Sequence, residues 1–114
     1  MTIRRIEPGS RMSEATIHGD KVYLAGQVGA PGKSVAEQTK EVLAEIDRLL
    51  ALAGTDKSKI LTAQIWLDDI REFDEMNAVW DSWVDKTSPP SRATGAARLA
   101  TPEYRVEIIV VAAI

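Results

Sequence analysis

The chain has 114 residues, 45% of them hydrophobic and 27% charged, with a formal net charge of −3. These proportions predict one globular domain over residues 1–114, and without a basic stripe they give no electrostatic footprint for nucleic acid or an anionic membrane. There is no cysteine and a single histidine, His18, which argues against disulfides, thiol catalysis, most zinc sites and a Ser-His-Asp triad.

The N-terminal MTIRRIEPGS has two arginines with no apolar segment behind them, so it does not read as a signal peptide. No apolar run approaches the ~20 residues of a membrane span. The expected location is the cytoplasm. Ile3 and Ile6 suggest an edge strand ahead of the Pro8-Gly9 turn. EATIHGDKVYLAGQV then reads as a hairpin, with Gly19 at the first position of a type II′ turn. GAPGKS is a loop.

Ser34 and Glu37 form a capping box. The helix they start carries Val35, Val42, Ile46, Leu49, Leu50 and Ala53 along one stripe, and Gly54 is its natural stop. A single stripe among Lys40, Glu41, Glu45 and Arg48 predicts one face packed on a sheet. KILTAQIWLDD alternates Leu61, Ala63, Ile65 and Leu67 against Thr62, Gln64, Trp66 and Asp68, the pattern of a strand. Asp69 and Glu72 mark a second helix start, and its buried stripe is Phe73, Met76, Trp80, Trp83 and Val84. Beyond Pro89-Pro90, strands over about 91–99 and 105–113 close the chain as a hairpin turning near Thr101-Pro102. The order β-β-β-α-β-α-β-β predicts an α+β domain, a mixed sheet with both helices on one face.

The last strand, RVEIIVVAAI, is apolar on both faces except at Glu107. A strand of that kind is covered on both faces. Two helices cover one, and no third layer is left in the chain for the other, which implies a homo-oligomer. Glu107 then lies in a dry setting, where an unpaired carboxylate is costly. Either it pairs with Arg98 or Arg105, or it is a tuned carboxylate in a pocket.

Arg92 stands among Ser91, Ala93, Thr94, Gly95 and Ala96. It reads either as a surface or interface arginine or as a fork of donors beside room for a planar carboxylate. A simple hairpin sets 92 opposite 111 and 96 opposite 107. Arg92 and Glu107 then share a face but stand roughly 13 Å apart, too far for one small molecule within one hairpin. Asn77, at the edge of the second helix's stripe, needs a polar partner. LAGQVGAPG lacks a phosphate-binding spacing. The three tryptophans read as packing, and Asp68, Asp69 and Glu72 as helix capping before metal binding.

Taken together, VYLAGQV (22–28), the helix entry with Gln38-Thr39 and Val42-Leu43, FDEMNAVW (73–80), PPSRA (89–93) and VEI (106–108) resemble the RidA/YjgF family of reactive-intermediate deaminases. The resemblance runs in order over nearly the whole chain. It implies a chorismate-mutase-like α+β fold and a homotrimer with clefts between subunits. It further implies hydrolysis of enamine or imine intermediates such as 2-aminoacrylate to 2-keto acids and ammonia. By position, Arg92 is then the carboxylate clamp and Glu107 the residue that positions or deprotonates water. Gly26, Asn77 and Thr94 fall at substrate-binding positions. Two positions depart from the family pattern: Met12 stands where a tyrosine is usual, and Ala25 where serine or threonine is frequent. Both lose a hydroxyl that could touch substrate.

The imine is already electrophilic, so this chemistry calls for no metal, nucleophile or cofactor. Holding the carboxylate and orienting one water is enough, and general-base help is typically worth ~10²–10⁴-fold. The missing hydroxyls leave a second reading, a trimeric module that binds a carboxylate metabolite without turnover. RNA cleavage, attached to some relatives of this family, fits poorly with a net charge of −3 and a lone histidine.

Overall fold

The computed structural model describes residues 1–114. Seven strands form one mixed sheet, and two helices lie on one of its faces. The Cα envelope is 19 Å across its thinnest dimension, as two layers require. The strands are β1 (Ile3–Pro8), β2 (Ser13–His18), β3 (Lys21–Leu24), β4 (Gln27–Val28), β5 (Ile60–Leu67), β6 (Ser91–Ala96) and β7 (Val106–Ala113). The helices are α1 (Val35–Leu52) and α2 (Phe73–Trp83). Spatial order across the sheet is β1-β2-β3-β7-β5-β6, and β4 also pairs with β7.

Local chemistry explains most boundaries. Gly19 takes φ +63° between the paired His18 and Lys21, as the tight turn predicts. Ser34 accepts the amide of Glu37 and so caps α1, and the Glu37 carboxylate answers by accepting from the Ser34 hydroxyl rather than from its backbone amide. Gly54, at φ +83°, follows the helix end. Asp69 accepts the amide of Arg71 and caps a short 3₁₀ turn, Ile70–Glu72, so α2 starts at Phe73 rather than at Asp69.

The core lies between α1, α2 and the sheet. β7 contributes Val106, Ile108, Val110 and Ala112, and α1 contributes Val42, Ile46, Leu49 and Leu50, all with no exposed surface. Emptying one such position, Leu50→Ala for instance, removes roughly 2–5 kcal/mol in well-packed cores. The second face of β7, with Glu107, Ile109, Val111 and Ala113, stays half-exposed. Tyr23 and Val28 are exposed outright. No helix covers that side. No helix is long and apolar enough to cross a membrane.

Three expectations fail. β6 and β7 are not a hairpin: β6 pairs in parallel with β5, and β7 pairs antiparallel with the other edge of β5. Helix α2 carries the chain back to the end of β5 where β5 began, so the next strand lies beside it in the same direction, as β-α-β units do. The segment 97–105 then crosses the end of β5, tied there by Ala97 N–H to Leu67 C=O (2.9 Å) and Asp68 N–H to Arg105 C=O (3.1 Å). Second, Leu61 is exposed, because the ladder slips between Ile60 and Thr62 and Ile60 takes the core position. Third, Phe73, placed in the buried stripe of α2, is more than a third exposed, while Met76 and Trp80 are buried.

Candidate functional site

Alternation along β6 follows its pairing with β5. Arg92 is level with Ala63 and Thr94 with Ile65, both core residues, so Arg92 and Thr94 point to the helix face. There Arg92 Nη1 donates to Asn77 Oδ1 at 2.7 Å. Its guanidinium carbon lies 5.2 Å from the Trp80 ring centroid and 6.0 Å from that of Phe73. The turn of α2 that carries Phe73, Asn77 and Trp80 spaces them at i, i+4 and i+7, one face of a helix. Three side chains from one helix therefore hold one guanidinium. Its remaining N–H groups make no hydrogen bond within the chain, and it has no carboxylate partner. The arrangement presents a donor-only surface, suited to a carboxylate. Thr94 Oγ1 is buried without a hydrogen-bond partner.

Glu107 lies elsewhere. It is level with Trp66 of β5 on one side and with Val28 of β4 on the other, on the face without helices. It makes no hydrogen bond or ion pair within the chain. The proposed pairing with Arg98 or Arg105 does not form. Arg105 instead spends its guanidinium on Glu72 (2.6 and 2.9 Å) and Asp68 (2.9 Å), and the Glu72 hydrogen bond raises its pKa. This cluster pins the start of β7 to the turn that leads into α2. Asp68, Asp69 and Glu72 thus each have a cationic partner, since Asp69 meets Arg71, whose hydrogen bond holds its pKa at about 2.

Glycine makes the Glu107 position. A Cβ at Gly26 would overlap the Glu107 carboxylate oxygen and come 2.8 Å from Cδ. The strand after β3 breaks at Ala25-Gly26, and the carboxylate rests on the bare backbone left there. Gly26 also lines an open hollow of about 600 Å³ with Met12, Glu14, Val28 and Arg48. Ala25 N–H bonds to Glu14 C=O (2.9 Å), and Ala25 C=O accepts from the Gln27 side chain (3.0 Å).

The expected site residues therefore fall into two groups. Asn77, Arg92 and Thr94 gather under α2. Ala25, Gly26 and Glu107 meet at the break before β4, and Met12 shares with Gly26 a hollow also lined by α1 that Glu107 does not line. Through β5, Arg92 and Glu107 are three rungs apart and two strands apart, roughly 14 Å between Cα atoms at standard spacings. They also project from opposite faces, not from the same face as the hairpin register implied.

Residues missed in the sequence include Phe73 and Trp80 as walls for Arg92, and Gln38. Gln38 is fully buried; its side-chain nitrogen donates to Lys33 C=O and Glu103 C=O, and its oxygen accepts from Arg105 N–H, each at 2.8 Å. A fully satisfied buried amide of this kind ties α1 to the segment entering β7. The i, i+4, i+7 spacing of Phe73, Asn77 and Trp80 was the available signal for the first pair.

Residues 2–114 match the family model described as Endoribonuclease L-PSP. A RutC family protein of Haemophilus influenzae is 53% identical, covering 98% of each chain. The crystal structure of a YjgF family member from Neisseria meningitidis superposes with a TM-score of 0.96 at 47% identity, over 99% of this chain and 95% of that one. A cattle protein named 2-iminobutanoate/2-iminopropanoate deaminase is 32% identical, over 88% of this chain and 77% of its own. With a family model matched over nearly its whole length and a full-length relative at this identity, the chain belongs to the RutC/YjgF family, in which imine deaminases occur among the more distant relatives.

Proposed function

We propose that the protein hydrolyses small imines and enamines of the 2-aminoacrylate class to 2-keto acids and ammonia, as a homotrimer with its sites between subunits. The observation that carries this reading is the Arg92 guanidinium, fixed by Asn77 and two aromatic rings and otherwise without a partner. In it, Arg92 grips the substrate carboxylate bidentately and Asn77 keeps the fork aimed. Glu107 orients a water and takes its proton as the water attacks the imine carbon. Collapse of the resulting carbinolamine expels ammonia and leaves the keto acid. The balance is one imine and one water to one keto acid and one ammonia, and no redox partner enters.

A single chain does not put both groups on one small molecule. A second copy supplies the missing one. The helix-free sheet face, with Tyr23, Val28, Ile109 and Val111, is the apolar surface such an assembly buries. Arg92 lies on β6, the edge strand of the sheet, whose side away from β5 is open to a partner.

The assay couples the protein to a serine or threonine dehydratase that releases 2-aminoacrylate or its homologue, with keto-acid formation followed against buffer. Acceleration that disappears in Arg92→Ala supports the reading; no acceleration, or an Arg92→Ala variant as fast as the native protein, sinks it. The second reading, a carboxylate-binding module without turnover, draws on Met12, which lines the Gly26 hollow, and on Ala25, next to Gly26 in the chain; neither carries a hydroxyl. Tight 2-keto-acid binding with no turnover would favour it. The endoribonuclease description of the family has no counterpart in the site, which offers no histidine pair for acid–base work on a 2′-hydroxyl.

A further inference from the structure

We propose that Trp66 is the wall against which the substrate's side chain packs, and that it limits this protein to imines with short side chains. The inference rests on the deaminase reading above and adds the group that selects among imines.

The three tryptophans have separate surroundings. Trp80 is buried, and Trp83 packs on it with centroids 5.4 Å apart, its indole N–H bonded to Asp47 (2.9 Å). Trp66 is the one on the helix-free face, half-exposed and with no hydrogen bond to its indole nitrogen. It sits directly opposite Glu107 in the β5–β7 ladder, so the two Cβ atoms are about 4.5–5.5 Å apart. On its other side the ladder neighbour is Gly95. A Cβ there would come within 3.1 Å of the indole Cζ3 and 3.6 Å of Cε3. The indole thus leans across β6 over a position with no side chain.

Glu107 leans the opposite way, onto Gly26. Two glycines therefore let two neighbouring side chains fold apart, one toward β4 and one toward β6. Attack on the imine carbon by a water held at Glu107 fixes where that carbon lies. Of its three substituents, the carboxylate goes to the guanidinium, and the nitrogen must reach solvent to leave. The remaining substituent is the side chain, and the largest apolar surface beside Glu107 is Trp66. A rigid indole has few ways to yield, so each added carbon on the substrate meets a fixed wall. One methylene more or less in a pocket of this kind changes kcat/KM about 10–200-fold.

The test measures kcat/KM for imines released in situ by an amino-acid oxidase from alanine and from leucine, in the native protein and in Trp66→Ala and Trp66→Phe. The native protein should favour the alanine-derived imine. Trp66→Ala should move that ratio at least 10-fold toward the leucine-derived imine, and Trp66→Phe should fall between. A ratio unchanged within 2-fold, with native turnover intact, overturns the inference while leaving the deaminase reading standing. Should Trp66→Ala not fold, Trp66→Phe and Trp66→Leu carry the same comparison. If the native protein turns over neither imine, the deaminase reading fails separately. Titration with pyruvate and 4-methyl-2-oxopentanoate then decides whether Trp66 still selects by size: the same shift in Kd ratio in Trp66→Ala supports the wall, and equal ratios or no binding overturn it.

Discussion

Arg92 reaches the helix side of the sheet already held, by one hydrogen bond and two aromatic rings that all come from α2. Glu107, on the other side, has no polar partner and is placed only by the space that Gly26 leaves. One group is preorganised by contacts that stay within the chain, and the other by an absence. The difference matters energetically. Contacts fix the guanidinium at the cost of three ordered side chains, and they persist in an isolated subunit. A carboxylate resting on bare backbone keeps its freedom to hydrogen-bond a water or a neighbouring chain, and its behaviour depends on what closes over it.

Filling the space at Gly26 attacks the Glu107 half alone. Gly26→Ala forces only the flexible end of Glu107 to move, since the overlapping atoms belong to its carboxylate. Loss of a well-placed general base typically costs ~10²–10⁴-fold, and kcat should fall by about 10²-fold with a Tm within a few degrees of the native value. Equal kcat in the two proteins would mean the carboxylate is not needed where it rests.

Asn77→Ala attacks the Arg92 half. It removes the 2.7 Å hydrogen bond, and bonds to charged groups contribute about 1.5–3 kcal/mol. The guanidinium stays between its rings but loses its aim. KM for the imine should rise about 10-fold with a smaller change in kcat, because a carboxylate grip acts in ground and transition states alike. The reverse split, kcat lost at constant KM, would shift Asn77 to the chemical step.

The smallest expected effect concerns acid. Hydrogen bonds from arginine and lysine lower the pKa values of Asp69 (to about 2, from 3.8), Glu7 and Glu41 (from 4.5). A carboxyl group with a depressed folded pKa stabilises the fold above its unfolded value, and that contribution is lost as pH falls through the folded one. Tm should therefore hold steady between pH 8 and about 5 and decline from about 4.5 toward 2. Each of these pairs is solvent-exposed, so each contributes little. Asp69→Asn should flatten the lowest part of the decline, and a profile that rises on acidification would contradict the pairing.

Much of this was legible in the residues, because alternation and capping are local. The Ser34 cap, the Gly19 turn, the stripe of α1 and the two-faced apolar character of β7 all follow from neighbours a few positions apart. Strand adjacency is not local. Two strands with a short link suggest a hairpin, but β5 already occupied the space between them. Reading Arg92 through β5 sets it level with Val110 rather than Val111. A shift of one residue in register exchanges the faces, which is why the expected shared face became two opposite ones. The bulge at Ile60/Thr62 displaced Leu61 for the same reason. Conversely, the bareness of the Arg92 strand was visible at once, while its cause was not: Gly95 makes room for Trp66, a residue 29 positions earlier in the chain.

The opposite faces of Arg92 and Glu107 make the central claim directly testable, through subunits that each lack one group. Arg92→Ala and Glu107→Gln, each expected to be inactive on 2-aminoacrylate, are prepared separately, then unfolded, mixed in equal amounts and refolded together. In a ring whose sites each draw Arg92 from one chain and Glu107 from the next, about a quarter of the mixed sites are intact, and the mixture should recover about a quarter of native activity. A mixture that exchanges subunits yet stays as inactive as its components would contradict a site shared between chains.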